Sequence, residues 1–173
     1  NCIQCFSNDY HLCKNGMKAI GMNTDGGMAE RIIVPEGCLI ELDPKVPIKD
    51  ACLVEPLAVA IHGLVKTKVN NTHRVAVIGG GTIGLCSIVA AKYLGCKVDL
   101  YAKYDHQLEA GFSLGAGQLS GTYDRVIDCV GNNDTLELSA KSAKPGSWVI
   151  LLGIPMEGIN LPGLRVIMNE IKL

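Results

Sequence analysis

Three glycines near the middle of the chain have the spacing of a dinucleotide-binding turn. Gly79, Gly81 and Gly84 form a G-x-G-x-x-G pattern between a β-branched run and a stretch of helical apolar periodicity. In such a turn the first glycine bends the chain, the second admits a pyrophosphate, and the third lets helix and strand pack closely. A helix would begin at Thr82 and Ile83, whose amides would face the diphosphate. The alternative is a tight turn that binds no ligand.

Three cysteines near the start of the chain have the spacing of metal ligands. Cys2 and Cys5 are separated by two residues, and Cys13 follows after seven more. Such short loops bring thiolates onto one tetrahedral ion, so the spacing predicts zinc. The fourth ligand would be His11 or a cysteine from an earlier part of a longer protein. The alternatives are three unligated thiols, or one disulfide with a thiol left over; zinc is favoured because this loop segment has little else to order it in a reducing cytosol.

The composition is typical of a soluble α/β protein. The 173 residues are 48% hydrophobic and 19% charged, and the formal net charge is -1. We therefore expect no binding to nucleic acid or to an anionic membrane. No run approaches the roughly 18 apolar residues of a membrane span and no signal-peptide pattern opens the chain, which predicts a cytoplasmic protein. The five remaining cysteines lie in apolar stretches, where a free thiol packs as a small hydrophobe: Cys38, Cys52, Cys86, Cys96 and Cys129.

Strands and helices alternate between residues 74 and 153, which predicts an α/β fold with a Rossmann-type, doubly wound parallel sheet. The predicted strands are 74–79, 97–102, 124–130 and 148–152, and the predicted helices are 82–94, 105–115 and 132–143. The interval 118–123 leaves no room for a third strand followed by a full crossover helix. Ligands bind at the carboxyl ends of such strands. Besides the glycine turn, this rule selects Ala102, Cys129, Val130, Leu152 and Gly153 as candidate cofactor contacts.

The residues before the sheet have a different pattern. Two short strands are predicted at 27–35 and 38–42, and they would belong to a β-rich unit. A helix is predicted to start at Pro56, with Glu55 at its positive end. On spacing alone, Glu55 is a helix-terminal charge and His62 is a packed residue rather than a ligand. We place the domain boundary between residues 68 and 69.

The residue that closes the second strand favours NADP over NAD. An NAD site usually has an acidic residue there, about 20 residues past the glycines, which accepts hydrogen bonds from the ribose. That position is Ala102, and Lys103 follows it. A 2′-phosphate would therefore meet a positive charge and no carboxylate. Asp99 and Asp105 are the competitors, since a slip in register or a bent loop would bring Asp105 to the ribose, and NAD stays the alternative cofactor.

Taken in order, the cysteine cluster, the DGGMAE segment, the VEPLAVAIHG helix start and the glycine turn resemble the zinc-dependent medium-chain alcohol and polyol dehydrogenases. The resemblance covers nearly the whole chain. Its most specific part is the combination of the Cys-x-x-Cys-x7-Cys lobe, the Glu-Pro helix start and the G-x-G-x-x-G turn. It implies that residues 1–68 are part of a GroES-like catalytic domain with a zinc lobe, and that residues 69–173 are a dinucleotide-binding domain.

The resemblance also implies roles for particular residues. In that family the lobe binds a structural zinc through four cysteines, which would correspond to Cys2, Cys5, Cys13 and one residue before the chain starts. Glu55 matches a position at the catalytic zinc, as a ligand or a close neighbour. The same resemblance leads us to expect a fragment that lacks both ends of the parent protein. The missing crossover helix and Ala102 depart from the NAD form of the family.

The predicted function is reversible hydride transfer between an alcohol or carbonyl substrate and NADP(H), with zinc as Lewis acid. The chain alone is expected to be inactive, because too few catalytic ligands remain in it. One alternative is a non-catalytic dinucleotide-binding module or gene remnant. Another is a zinc-lobed interaction domain in which the glycine turn is only structural. The substrate stays open, and the strand edge at 171–173 would favour a homo-oligomer.

Overall fold

A computed structural model describes residues 2–16, 18–156 and 158–173 of the chain. The chain divides into two compact units, Asn1–Lys45 and Val46–Leu173. This division falls earlier than the domain boundary expected between residues 68 and 69. The reason is that Ala60 and Leu64 of the intervening helix are buried in the same core as the sheet. The assignment of the two units to a catalytic and a dinucleotide-binding domain stays a prediction.

The second unit contains a five-stranded sheet in which every neighbouring pair of strands is parallel. The strand order is β3-β2-β1-β4-β5. The strands are β1 (Arg74–Ile78), β2 (Lys97–Tyr101), β3 (Gly117–Gln118), β4 (Tyr123–Asp128) and β5 (Ala143–Leu151). The helices of this unit are α2 (Val54–Lys66), α3 (Thr82–Tyr93), α4 (Asp105–Ser113), α5 (Asn133–Ser142) and α6 (Gly163–Met168), and a 3-10 turn (Ile48–Leu53) precedes α2. The predicted Rossmann-type doubly wound sheet is confirmed.

Both faces of the sheet are covered, as the near-continuous apolar composition of β1 requires. Val75 and Val77 point into one buried cluster, which includes side chains of α2 and α3. Ala76 and Ile78 point into a second cluster on the other face. Successive side chains of a strand alternate between faces, so a central strand with two apolar faces is buried on both sides. This burial holds the ends of β1 and its neighbours in fixed positions.

The third strand is present but only two residues long. Gly117 and Gln118 pair with Asp99 and Leu100 of β2. The link from β3 to β4 is residues 119–122 and contains no helix, in agreement with the expected lack of a crossover helix. Parallel strands normally need a crossover of about a dozen or more residues. This short link must therefore be held by specific contacts.

Tyr123 supplies those contacts. Its side chain is 0% exposed, and its hydroxyl accepts the Ser120 N–H at 2.7 Å and donates to Asp99 Oδ2 at 3.0 Å. The Arg74 guanidinium donates to the same carboxylate at 2.6 Å and lies 4.4 Å from the centre of the Tyr123 ring. These contacts join the starts of β1 and β4 to β2 and to the link.

Several local predictions need correction. The strands predicted at 27–35 and 38–42 are wrong: the chain there forms a 3-10 turn at Glu36–Cys38 and is otherwise irregular. Their β-branched composition favours an extended backbone, but a strand also needs a paired neighbour, and Ile33 and Ile40 are exposed. In the described part of Asn1–Lys45, the ladder contact is an isolated bridge between Ile20 and Thr24.

The boundaries of other helices and strands differ from the predicted boundaries by a few residues. The α2 helix begins at Val54, two residues before Pro56, and Glu55 lies in its first turn as predicted. The β5 strand begins at Ala143, five residues before the predicted start at residue 148, and α6 was not predicted. Lys172 forms an isolated parallel bridge with Trp148, so the apolar end of the chain lies beside β5.

In the described part of the first unit the elements are short: α1 (Ile3–Phe6) and 3-10 turns at Tyr10–Leu12 and Glu36–Cys38. The first two fall in a segment that was predicted to be loop. Among the described residues of the chain, no helix has the length and apolarity needed to cross a membrane.

We predict that Tyr123→Phe lowers the free energy of unfolding by about 1–3 kcal/mol, because it removes the hydroxyl that accepts the Ser120 N–H and donates to Asp99 at the end of a fully buried ring. Tyr93→Phe is the matched control, since Tyr93 is 91% exposed. Urea denaturation followed by circular dichroism measures both. Equal stability of the two variants would show that the hydroxyl does not hold the short link.

Candidate functional site

The three predicted metal ligands lie together in the first unit. The Cys2 Sγ lies 3.7 Å from the Cys5 Sγ and 3.8 Å from the Cys13 Sγ. All three sulfur atoms lie within 4.8 Å of one another. Four ligands at Zn–S distances of about 2.3 Å are about 3.8 Å apart at the corners of a tetrahedron. The thiols are therefore spaced as one face of a tetrahedral zinc site.

The backbone around the cysteines favours an ionised thiol. Hydrogen bonds from the backbone at Cys5 and then at Lys14 lower the pKa of the Cys2 thiol to about 6. For Cys5, the backbone hydrogen bond at Cys2 lowers the pKa most, but the neighbouring thiols of Cys13 and Cys2 together raise it above its ordinary value. A lowered pKa at Cys2 suits a metal site, because zinc binds the deprotonated form of cysteine.

The three cysteines are brought together within a short continuous segment, residues 2–13. The α1 helix carries Cys5 one turn after Cys2, and the 3-10 turn that follows ends at Cys13. Among the described residues, the group of candidate metal ligands consists of these three thiols, and His11 is not part of it. The prediction of His11 as the fourth ligand thus receives no support from the geometry.

The glycine turn lies between β1 and α3, where the pattern predicts it. Gly79 has a φ of +105°, which L side chains rarely adopt, and its N–H donates to Tyr101 O at 2.7 Å. A side chain at Gly84 would collide with the Gly79 carbonyl oxygen. The first glycine therefore makes the turn, and the last lets α3 pack directly against the strand end.

Gly81 is the glycine of the turn that the fold itself does not require. Its φ of -77° and ψ of -171° suit any residue, and a Cβ built on it would meet no protein atom within 4 Å. Neither backbone conformation nor packing within the chain explains a glycine here. It is the N-cap residue of α3 and offers no side-chain oxygen to the first amides of the helix. Open space beside unsatisfied amides at a helix N-terminus fits a diphosphate.

A cleft of about 650 Å³ opens beside this turn. It is lined by three groups of residues, each at the carboxyl end of a strand. They are Gly79–Gly81 after β1, Tyr101–Tyr104 with Gln107 after β2, and Cys129, Val130, Asn132, Asp134 and Thr135 after β4. Of the predicted cofactor contacts, the cleft thus brings together Gly79, Gly81, Ala102, Lys103, Cys129 and Val130.

The other predicted contacts do not line the cleft. Thr82, Ile83 and Gly84 form the first turn of α3, and Gly84 is its buried residue against the end of β1. Leu152 packs against the core cluster that contains α2. Gly153 lies against the backbone of Val130 so closely that a side chain there would collide with it.

The cleft also contains residues that the sequence analysis did not select: Gly80, Tyr101, Tyr104, Gln107, Asn132, Asp134 and Thr135. The sequence signal for one of them was present. Asn132 accepts the Thr135 N–H at 2.9 Å and caps α5, and a cap that follows a strand directly must lie at the carboxyl edge of the sheet. Tyr104 is the N-cap residue of α4 without a side-chain cap, and Gln107 lies in the first turn of that helix.

The end of β2 has the charge distribution expected for NADP. Ala102 is buried, and Lys103 and Tyr104 are exposed, with the Lys103 Nζ 5.5 Å from the centre of the Tyr104 ring. Asp99 is held by Arg74 and Tyr123, and neither it nor Asp105 lines the cleft. The carboxylate that does line the cleft is Asp134 in the first turn of α5.

Cys129 is a partly buried wall of the cleft rather than a reactive thiol. Burial raises its pKa to about 12, and its sulfur lies 3.8 Å from the Ser87 Oγ. The neutral thiol packs as an apolar group at neutral pH.

Glu55 is exposed in the first turn of α2. Among the described residues, it belongs to no cluster of candidate metal ligands. Its predicted role at a catalytic zinc is untested by this geometry and stays a prediction. His62, about two turns further along the same helix face, is also exposed.

Comparison with known proteins gives a consistent set of relatives. An uncharacterized zinc-type alcohol dehydrogenase-like protein of Haemophilus influenzae is 35% identical over 99% of this chain and 56% of that protein. The structure of galactitol-1-phosphate dehydrogenase from Escherichia coli is 27% identical, with a TM-score of 0.91 over 99% of this chain and 56% of that one. A third relative is the structure of a zinc-binding dehydrogenase from Sinorhizobium meliloti 1021 bound to NADP. It is 28% identical, with a TM-score of 0.89 over 99% of this chain and 56% of that one.

The chain is a relative of the zinc-type medium-chain alcohol and polyol dehydrogenases, and the resemblance predicted from the sequence is confirmed. It spans about half the length of the curated relatives it matches. No family model matches the chain.

We predict that the chain binds one zinc ion through Cys2, Cys5 and Cys13. Cys13→Ser should weaken zinc binding by about 100-fold, since each thiolate supplies a share of the roughly 10–16 kcal/mol of structural zinc binding. Cys38→Ser is the control, because Cys38 is exposed and outside the cluster. Competition with a chromogenic chelator measures the affinity. Equal affinities of the two variants would contradict the assignment.

We also predict that Gly81→Ala folds normally but binds NADPH at least about tenfold more weakly, a loss of about 1.4 kcal/mol. The added methyl group meets no protein atom and would occupy the space assigned to the diphosphate. Gly163→Ala adds a methyl group in equally open space away from the cleft. Calorimetric titration gives the affinities and thermal denaturation the stabilities; unchanged affinity of Gly81→Ala would place the cofactor elsewhere.

Proposed function

We propose that this chain forms the NADP(H)-binding part and the structural zinc lobe of a zinc-dependent alcohol or polyol dehydrogenase. The observation that carries the proposal is the open space at Gly81 in a cleft between three strand ends. The NADP-bound relative from Sinorhizobium meliloti supports the same cofactor class. The zinc-type dehydrogenases among the curated relatives support the metal.

Lys103 is the basis for preferring NADP over NAD. Its ammonium group lies at the end of β2, where the adenosine ribose binds in such folds, and no carboxylate from Asp99 or Asp105 lines the cleft beside it. Asp134 lies on the α5 side and would accept hydrogen bonds from either cofactor. NAD is the alternative if Lys103 stays in solvent.

The proposed chemistry is oxidation of an alcohol or reduction of a carbonyl. In such enzymes the nicotinamide accepts or gives the hydride, and a zinc ion polarises the substrate oxygen. The described residues would bind the cofactor and orient it at the carboxyl edge of the sheet. We further propose that Glu55 lies near the catalytic metal in the whole protein, as a ligand or close neighbour.

The substrate class follows from the relatives, whose names include sorbitol, galactitol 1-phosphate and threonine dehydrogenases. We propose a small alcohol or carbonyl compound as substrate, and no nucleic acid or membrane partner. A cytoplasmic location and assembly into a homo-oligomer are proposed on the sequence arguments given above.

A second candidate function is nucleotide binding without turnover. It is favoured by one observation: among the described residues, the three thiols form the metal-ligand group and Glu55 lies outside it. Under this hypothesis the chain binds NADP(H) and zinc but catalyses nothing by itself. Zinc-dependent alcohol oxidation by the 173-residue chain would contradict it.

Titration of the zinc-loaded chain with NADPH and then with NADH tests the proposed function. We predict tighter binding of NADPH, and loss of this preference in Lys103→Glu, because a carboxylate repels the 2′-phosphate. Lys97→Glu is the control, since Lys97 is an exposed lysine at the other end of the same strand. A folded chain that binds neither nucleotide would overturn the proposal.

A further inference from the structure

The carboxylate of Asp128 is buried without a cationic partner. Asp128 is the last residue of β4 and is 0% exposed. Among the described residues, no lysine, arginine or histidine forms a salt bridge with it. A buried charge is costly unless hydrogen bonds compensate for lost hydration. The structure therefore must supply such bonds, and their positions indicate what the group does.

The shorter of these bonds lead to the turns that follow β4 and β5. Asp128 Oδ1 accepts the N–H groups of Val130 at 2.9 Å and Gly131 at 3.0 Å. Its backbone carbonyl accepts the N–H groups of Leu152 at 2.8 Å and Gly153 at 2.9 Å. One residue thus fixes two neighbouring strand ends. Oδ2 accepts a longer hydrogen bond, 3.4 Å, from the buried Ser139 Oγ of α5.

The two turns are packed backbone against backbone. Gly131 has a φ of +81°, and a Cβ there would lie 2.8 Å from the Gly153 carbonyl carbon. A side chain at Gly153 would collide with the backbone of Val130. Glycine at both positions lets the turns meet, but glycine also leaves them free to move unless something holds them.

The turn that Asp128 holds is a wall of the cofactor cleft. Val130 lies against the glycine turn, since a Cβ at Gly79 would lie 2.5 Å from Val130 Cγ2. Val130 and Asn132 line the cleft beside Gly79–Gly81, and they also line a second hollow with Ile154. A shift of this turn would change the cleft directly opposite the diphosphate position.

We propose that Asp128 is a positioning residue for the cofactor: its carboxylate holds the turn at 129–131 in the conformation that NADP(H) requires. This inference rests on the proposed cofactor-binding function. Asp128 touches no part of the cleft itself, and it acts through Val130 and Gly131.

The test compares three variants of the zinc-loaded chain by calorimetric titration with NADPH. Asp128→Ala leaves both amides without an acceptor and should weaken binding by at least about tenfold, or about 1.4 kcal/mol. Asp128→Asn keeps an oxygen for both amides and can donate its NH2 to Ser139, so it should bind like the wild type. Asp128→Ser reaches one amide only and should be intermediate; it replaces Asp128→Ala if that variant does not fold.

A control separates positioning from general stability. Thr67 is a buried residue of the same unit, and its hydroxyl donates to Gly63 O at 2.8 Å away from the cleft. Thr67→Ala should lower the melting temperature without changing the affinity for NADPH. If Asp128→Ser shows that same pattern, the positioning role is wrong. If the wild-type chain itself binds no NADPH, the proposed function fails instead.

Discussion

The close approach of α3 to the end of β1 is the constraint on which the site depends. Gly84 has no side chain, so the first turn of the helix lies directly on the Gly79 carbonyl. This contact directs the helix N-terminus at the edge of the sheet, and the buried faces of β1 keep that edge in place. A larger residue at Gly84 would push the helix away and move its free amides out of the cleft.

The topology then determines where the cleft forms. The strand order reverses between β1 and β4, so the chain leaves these two neighbouring strands towards opposite edges of the sheet. Such a switch point is where open α/β sheets bind ligands. The turn after β1 supplies the glycines and the turn after β4 supplies Val130, which Asp128 holds from behind. The missing crossover helix does not disturb this arrangement, because Tyr123 anchors the short link at the opposite edge.

The fold and the centre of the site could be predicted from the sequence, because both depend on local patterns. Apolar strands, the glycine spacing and Asn132 as a helix cap are all readable within a few residues. The strands predicted at 27–35 and 38–42 failed because pairing is not a local property. Tyr104 and Gln107 were missed because lining a cleft depends on where α4 lies against the sheet. The hydrogen bonds from Leu152 and Gly153 to Asp128 join residues more than twenty positions apart, and no local sequence pattern predicts them.

The most direct test of the central claim is amide chemical-shift mapping of the isotope-labelled chain with NADPH. We predict that the largest shifts fall on Gly79, Gly81 and Val130, which line the cleft at the helix N-terminus. Shifts confined to another surface, such as the apolar groove lined by Leu57 and Val89, or no shifts at saturating NADPH, would contradict the assignment of a dinucleotide site to the glycine turn.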